Sequence, residues 1–136
     1  MSAAGGDVYF NAPGTASVKW DGAGATVVVE WEGWANSAEF AAMLESGVRA
    51  LKDHRGSRWL ADCRLQKVLI PADQERASRE WLPRALAAGL RRFAVIPPTS
   101  GLARTNLKDS LSAVPATRLE VGYFDTVEQA REWLAR

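Results

Sequence analysis

The sequence is poor in the residues that crosslink a chain or bind metals. It contains one cysteine and one histidine among 136 residues. A single cysteine excludes an intramolecular disulfide, and a zinc or iron site would need several carboxylates brought together by folding. No apolar run reaches the roughly 18 residues of a membrane span, and residues 1–6 have neither the basic nor the apolar region of a secretory signal. These absences predict a reduced, cytoplasmic protein without a metal site.

An excess of charge of one sign is also missing. Lys and Arg number 17 against 16 Asp and Glu, which leaves a formal charge of +1, and the two signs are interspersed. Nucleic acids and anionic membranes attract concentrated positive charge, so neither is a predicted partner. The sequence also lacks repeats, low-complexity tracts and linkers, and its length suits one core. We therefore predict a single domain over residues 1–136, of which 1–6 form a flexible N-terminal tail.

Strand and helix patterns alternate along the rest of the chain. Up to residue 32, short apolar segments separated by Pro13-Gly14 and by the turn at 21–24 predict an antiparallel meander. The later predicted strands are 58–64, 92–96 and 118–124, and the predicted helices begin at Asn36 or Ser37, at Pro71, near Ser100 and after Asp125. Strands that alternate with helices are joined by crossovers and run parallel. The sequence therefore predicts an α/β fold in which a mixed, mostly parallel sheet carries an N-terminal antiparallel meander and about four helices.

Two local features of these helices are predicted as well. Pro83 lies inside the helix that Pro71 opens, and an interior proline costs roughly 3 kcal/mol because it lacks an N–H and clashes with the preceding turn. A kink or break near Trp81 follows. At the last helix, Asp125 and Glu128 have the spacing of an Asp-x-x-Glu capping box.

Four segments carry a resemblance to a known family. They are VVEWEGWANSAEF, SRWLADCR, PADQERASREWLPRALAAGLRRFAVI and LEVGYFDTVEQAREWL. In this order and spacing they resemble the bacterial STAS/SEC14-like proteins, relatives of the anti-sigma-factor antagonists, from about Val27 onward. The resemblance implies a STAS-like domain with a regulatory role exerted by protein binding, and the superfamily also includes lipid-binding CRAL-TRIO domains. Fold analogy assigns no function by itself.

The resemblance also implies where a phosphorylation switch would lie. In phosphorylated STAS regulators a serine or threonine follows the strand that corresponds to residues 58–64, at the start of the next helix, where free N–H groups favour a phosphate. This chain has no serine or threonine between Asp62 and Gln74. Ile70 stands at the expected cap position, and Ser78 lies more than a turn beyond Pro71. The sequence therefore predicts that the domain is not switched by phosphorylation at this loop.

The candidate contact residues surround the same loop. Asp62 ends a predicted strand with a family-like acid, and it either contacts a partner or ligand or accepts backbone N–H bonds that order the loop. Arg64 and Asp73 flank the loop, and Trp81 either covers the core or lies at an interface. These four residues are the predicted partner or ligand contacts.

The other reactive side chains are predicted to be structural. Cys63 alternates with apolar neighbours and is expected to be a small buried hydrophobe, and the charge of His54 at a helix carboxyl end is explained by the helix dipole. Ser100 and Arg104 would form a weak anion-binding site, although turn and cap chemistry explains the same residues. No nucleotide-binding, hydrolase or metalloprotease motif is present. The sequence therefore predicts no catalytic residues and no cofactor.

Two functions from different classes remain open. The first is a non-enzymatic cytoplasmic STAS-like interaction or regulatory module, which binds a protein partner or itself, as a homodimer, through the loop 62–73 and the helix around Trp81. The alternative is a small-molecule or lipid-binding protein, in which the helix break at Pro83 opens an apolar pocket. An enzymatic function ranks third. Catalysis usually needs a positioned base, nucleophile or metal, and the only candidate groups that cluster in the sequence are the carboxylates of Asp62, Asp73 and Glu75.

Overall fold

A mixed β-sheet organises the protein. The computed structural model describes residues 7–67, 69–99, 101, 102, 104, 105, 108 and 118–136. Its six described strands are β1 (Val8–Ala12), β2 (Ala16–Asp21), β3 (Thr26–Trp31), β4 (Arg58–Asp62), β5 (Arg92–Ile96) and β6 (Glu120–Tyr123). They lie side by side in chain order; β1, β2 and β3 pair antiparallel, and β3 to β6 pair parallel. The predicted α/β fold with an antiparallel meander and a parallel remainder is confirmed.

Three helical stretches are described against the about four predicted. The first is α1 (Ser37–His54) and the last is α4 (Val127–Leu134). The second is continuous and consists of α2 (Pro71–Arg76), a π-helical turn (Ala77–Trp81) and α3 (Leu82–Ala87). The helix predicted from about residue 100 lies largely outside the described residues. Within its span, residues 101, 102, 104, 105 and 108 have helical backbone.

The helix ends follow from local capping chemistry. At the start of α1, the Glu39 N–H donates to Asn36 Oδ1 at 2.8 Å and the Asn36 N–H donates to Glu39 Oε1 at 3.0 Å, which completes a capping box. At α4 the predicted box of Asp125 and Glu128 is wrong by one residue. Thr126 caps this helix by accepting from the Gln129 N–H at 3.1 Å. Both registers have the right spacing. In the observed one, Ala130 and Leu134 are the buried residues of α4 and pack into a core on the sheet.

The predicted kink near Trp81 takes the form of a wider helical turn. The Leu82 N–H donates to the Ala77 carbonyl, five residues back, and the helix continues into α3 with Pro83 in its first turn. Proline lacks an N–H, and its ring clashes with the carbonyl four residues earlier. A π-helical turn adds a residue to the turn, which relieves that clash without ending the helix.

The helices cover both faces of the sheet. The larger core lies under α1 and the stretch 71–87, and it includes Trp31, Trp59 and Phe93. The smaller core lies under α4, and it contains Leu60, Ala94, Ile96, Ala130 and Leu134. Successive strand residues point to opposite faces, so the apolar runs of β4 and β5 supply both cores. The parallel half of the sheet is therefore covered on two sides, and its loops remain accessible at the strand ends.

Candidate functional site

The loops that follow β3, β4 and β5 meet at one edge of the sheet, which we call the carboxyl edge. The Lys67 N–H donates to the Gly33 carbonyl at 3.3 Å and thus joins the first two loops. The Thr99 N–H lies 3.4 Å from the Arg64 carbonyl and joins the third. In α/β sheets this edge is where ligands and partners are commonly bound. The carboxyl edge is therefore the first place to look for a site.

Asp62 and Arg64 form an ion pair at the end of β4. The Nε and Nη2 atoms of Arg64 donate to the two carboxylate oxygens of Asp62 at 2.9 and 2.6 Å, and the Arg64 backbone N–H donates to Asp62 Oδ1 at 3.3 Å. The carboxylate thus orders the start of the loop. It also fixes the half-exposed guanidinium in a two-pronged geometry. The pair as a whole is neutral, and it presents the remaining N–H donors of the guanidinium in a fixed orientation at the carboxyl edge.

This ion pair sets the ionisation of Asp62. Burial raises the pKa of the Asp62 carboxyl, but the side-chain and backbone hydrogen bonds from Arg64 together outweigh burial, so the pKa lies below its ordinary value. A lowered folded pKa stabilises the protein above the unfolded carboxyl pKa of about 3.9. That contribution is lost as the pH falls through the folded value.

We expect the replacement Arg64→Met to raise the pKa of Asp62, because the hydrogen bonds and the charge that favour the carboxylate disappear while partial burial remains. The acid-induced loss of stability should then begin at a higher pH. A carbon-detected NMR titration of the Asp62 carboxyl measures the shift. Arg79→Met is the matched control, since Arg79 pairs with Glu75 instead. An Asp62 pKa that does not move in Arg64→Met contradicts this account of the pair.

Asp73 and Trp81 lie away from this pair, on the helical run that follows the loop. Asp73 is buried in the first turn of α2. The indole N–H of Trp81 donates to the Leu44 carbonyl on α1 at 3.1 Å, and the ring meets Trp59 edge-on at 5.2 Å. Trp81 is partly buried, so it belongs to the rim of the core. The structure therefore brings two of the predicted contact residues together at the carboxyl edge and places the other two beside α1.

An apolar cavity lies between the sheet and the π-helical turn, where the sequence predicted a pocket. Its volume is about 100 Å³. The aromatic part of its wall consists of Trp31, Phe40, Trp59, Trp81 and Phe93. Pockets that enclose a drug-sized ligand measure roughly 300 to 1,000 Å³. The cavity is therefore large enough for a small apolar group and too small, in this conformation, for a lipid chain.

Cys63 is buried, as the sequence predicted, and His54 packs against an aromatic ring. Cys63 is buried and lines the apolar cavity, and burial together with the neighbouring Asp62 charge raises the pKa of its thiol. A thiol in such surroundings is a poor nucleophile. The His54 ring stacks on Trp20 at 4.5 Å, at the opposite edge of the sheet from Cys63, and its Nε2 atom lies 3.4 Å from the Asp7 carboxylate. The cysteine and the histidine therefore form no catalytic pair.

The remaining predicted features concern anions, metals and membranes. Ser100 of the weak anion site lies outside the described residues, and Arg104 is exposed on helical backbone. Among the described residues, no three His, Cys, Asp or Glu side chains are grouped so that they could hold a metal ion. In the same part of the chain, none of the helices has the length and apolar character needed to cross a bilayer.

Sequence reasoning missed a set of exposed apolar side chains. Among the described residues, three large ones are exposed on the joined loops after β3 and β4: Trp34 (51%), Leu65 (62%) and Ile70 (42%). Leu102 (72%) is exposed on the helical backbone that follows the loop after β5. We call these four residues the carboxyl-edge surface. The available signal was apolar residues in the loops directly after β3 and β4, but only the folded chain brings these loops to one edge.

Comparison with known proteins identifies a family. A family model described as SpoIIAA-like matches residues 26–135. No curated protein and no solved structure matches the chain. The family match covers β3 to α4, which includes all of the parallel sheet and its covering helices. The chain therefore belongs to the SpoIIAA-like family, and at the level of that family it is a STAS-type regulatory and protein-interaction domain.

Proposed function

We propose that the domain is a non-enzymatic cytoplasmic module that binds a protein partner through the carboxyl-edge surface. Single exposed apolar residues are ordinary on soluble proteins. Three of them on loops that hydrogen-bond to one another, with a fourth on the helical backbone that follows, favour an interaction site. This grouping of Trp34, Leu65, Ile70 and Leu102 is the observation that carries the proposal.

The charges around this surface indicate the character of the partner. Arg64 and Lys67 are exposed on the loop after β4, and Arg104 is exposed on helical backbone two residues after Leu102. Asp62 orients Arg64, so a partner carboxylate meets the remaining guanidinium N–H donors, which are already fixed in place. Electrostatic complementarity mainly sets the rate and specificity of association. The partner is expected to insert apolar side chains between the loops and to carry acidic groups at the rim.

The proposal includes binding that is independent of phosphorylation at the loop. Ile70 caps α2 without a side-chain hydrogen bond to the helix. The loop from Asp62 to Gln74 offers no hydroxyl that could accept a phosphate. Regulation is then exerted by the availability of the partner, not by charge added to this loop.

The test places a photocrosslinking residue, benzoylphenylalanine, at Leu65 in cells that express the domain. We expect an adduct of one defined mass, because Leu65 lies on the proposed surface. The same residue at Val8 is the matched control, since Val8 is 65% exposed but lies at the opposite edge of the sheet. Mass spectrometry of the adduct reports whether the partner is another protein or a second copy of this chain.

A competition experiment separates specific binding from chance contact. Excess unlabelled wild-type domain should abolish the Leu65 adduct, whereas a Leu65→Ser/Ile70→Ser domain should not compete. Both substituted positions are exposed, so the double variant is expected to remain folded. Equal adducts at Leu65 and Val8, or equal competition by both domains, would contradict the proposal.

The apolar cavity supports a second candidate function, the binding of a small apolar ligand. The cavity lies under the π-helical turn, and Trp81 closes it on the side of α1. Its volume of about 100 Å³ accommodates a small apolar group but requires the helix to move before a larger ligand enters. Because the cavity is this small, we rank ligand binding below protein binding as the function of the domain. Replacement of Trp81 is the experiment that tests it.

A further inference from the structure

A polar groove lies next to the apolar cavity, between α1 and the helical stretch 71–87. Its volume is about 150 Å³, and Trp81 borders both spaces. Phe40, Leu44 and Trp81 supply apolar surface. The charged side chains that line the groove are Glu45, Asp73, Arg76, Glu80 and Arg84. This combination of apolar and charged surface suits a ligand with a short apolar stem and a charged head.

Several of these charged groups already have partners. Glu45 pairs with Arg84 across the groove, and Glu80 pairs with Arg79 at 3.2 Å. Asp73 differs from them. As a whole residue it is only 6% exposed, and none of the described hydrogen bonds or ion pairs ends on its carboxylate. Its oxygens are not among the fully buried atoms without a partner, so they open into the groove. In the described part of the chain the groove therefore contains a largely buried carboxylate that only water or a ligand can contact.

The Asp73 carboxylate meets water where it opens into the groove. A ligand that displaces this water must supply donors or an opposite charge in its place, because a carboxylate that loses its hydration without replacement is unfavourable. The first turn of α2 offers only a modest favourable field. A guanidinium or ammonium group supplies both positive charge and several N–H donors at once. Such a group would complete the site.

We propose that this groove binds a cationic group, a guanidinium or an ammonium on a short apolar stem, with Asp73 as its acceptor. The stem contacts Phe40, Leu44 and Trp81. Two guanidinium groups line the groove: Glu45 neutralises Arg84, and Arg76 is exposed, so solvent screens its repulsion of the cation. The cation comes either from an arginine or lysine side chain of a protein or from a free small amine or guanidine. The groove shares no residue with the carboxyl-edge surface, so the two sites are tested independently.

The experiment is an NMR titration of the whole domain with ethylguanidinium chloride, with the Trp81 indole N–H as the reporter. We expect a saturable shift in the wild-type protein and an affinity at least about tenfold weaker in Asp73→Asn, since a neutral amide cannot replace the charge-assisted hydrogen bonds of the carboxylate. Glu75→Gln is the matched control, because Glu75 is an exposed carboxylate on the same helix that pairs with Arg79. It should bind like the wild type.

Two further probes make the outcome decisive. Ethylurea has nearly the same shape without the charge, so it should produce no saturable shift. An arginine that is acetylated and amidated tests whether the cation belongs to a protein side chain or to a free small molecule. Tight binding of this arginine derivative indicates a protein side chain. Failure of the derivative to bind, while ethylguanidinium still binds, indicates a free small molecule. Binding of ethylurea as tight as that of ethylguanidinium, or equal titrations in wild type and Asp73→Asn, overturns the proposal. Lower stability of Asp73→Asn combined with unchanged titrations would leave Asp73 a purely structural role.

Discussion

Replacing Gly47 with alanine is expected to lower the free energy of unfolding by about 2 kcal/mol, although alanine is the better helix former. Gly47 lies buried in α1, and a Cβ atom at this position would overlap the Cη2 and Cζ3 atoms of Trp59. Trp59 cannot easily move away, because it is fully buried, stacks on Phe93 at 5.9 Å and meets Trp81 edge-on. Overpacking of this kind costs up to about 3 kcal/mol, and the gain in helix propensity returns about 1 kcal/mol.

Urea denaturation of the variant measures this loss. Gly22→Ala is the control, since a Cβ atom there would meet no other atom within 4 Å and Gly22 does not have a left-handed backbone. In a Trp59→Phe background the Gly47→Ala penalty should shrink, because phenylalanine lacks the ring atoms that overlap, and a double-mutant cycle reports the difference. A Gly47→Ala protein as stable as the wild type would mean that α1 lies farther from the sheet.

The close approach of Gly47 to Trp59 also shows how far the sequence could predict the fold. The alternation of strand and helix patterns predicted the sheet and its covering helices, since these depend on periodicity along the chain. It also predicted the burial of Cys63, which shares a strand face with Trp59. It could not predict that Gly47 faces that tryptophan, because the contact depends on how α1 crosses the sheet. Packing between elements is set by side-chain volumes on both of them.

The candidate sites were less predictable for the same reason. Asp62 and Arg64 are two residues apart, so their pairing was within reach of local reasoning. The exposure of Leu65 and Ile70 depends on which loops meet at the carboxyl edge. The burial of Asp73 depends on how α1 packs against the stretch 71–87. The sequence named Asp73 as a contact residue, but only the folded protein shows that its carboxylate faces a groove.

Replacing Trp81 with alanine is expected to lower the free energy of unfolding by about 3 kcal/mol. The variant loses the ring contacts with Trp59 and Phe93 and the hydrogen bond to the Leu44 carbonyl. Truncation of a large aromatic residue typically costs about 3–5 kcal/mol, and partial burial places Trp81 at the lower end. Trp81→Phe keeps most of the ring and loses the hydrogen bond, so about 1 kcal/mol is expected. Urea denaturation of both variants separates the two contributions.

Two apolar ligands test the space that the Trp81 side chain fills and the apolar cavity beside it. Free indole should raise the Tm of this variant, because it fills the space that the side chain leaves, and it should not raise the Tm of Trp34→Ala, where the lost ring was exposed. For the wild type we expect no rise with benzene, since the cavity of about 100 Å³ is smaller than the roughly 150 Å³ known to hold that ligand. If benzene does stabilise the wild type, the helix opens to admit apolar ligands, and the second candidate function moves ahead of the first.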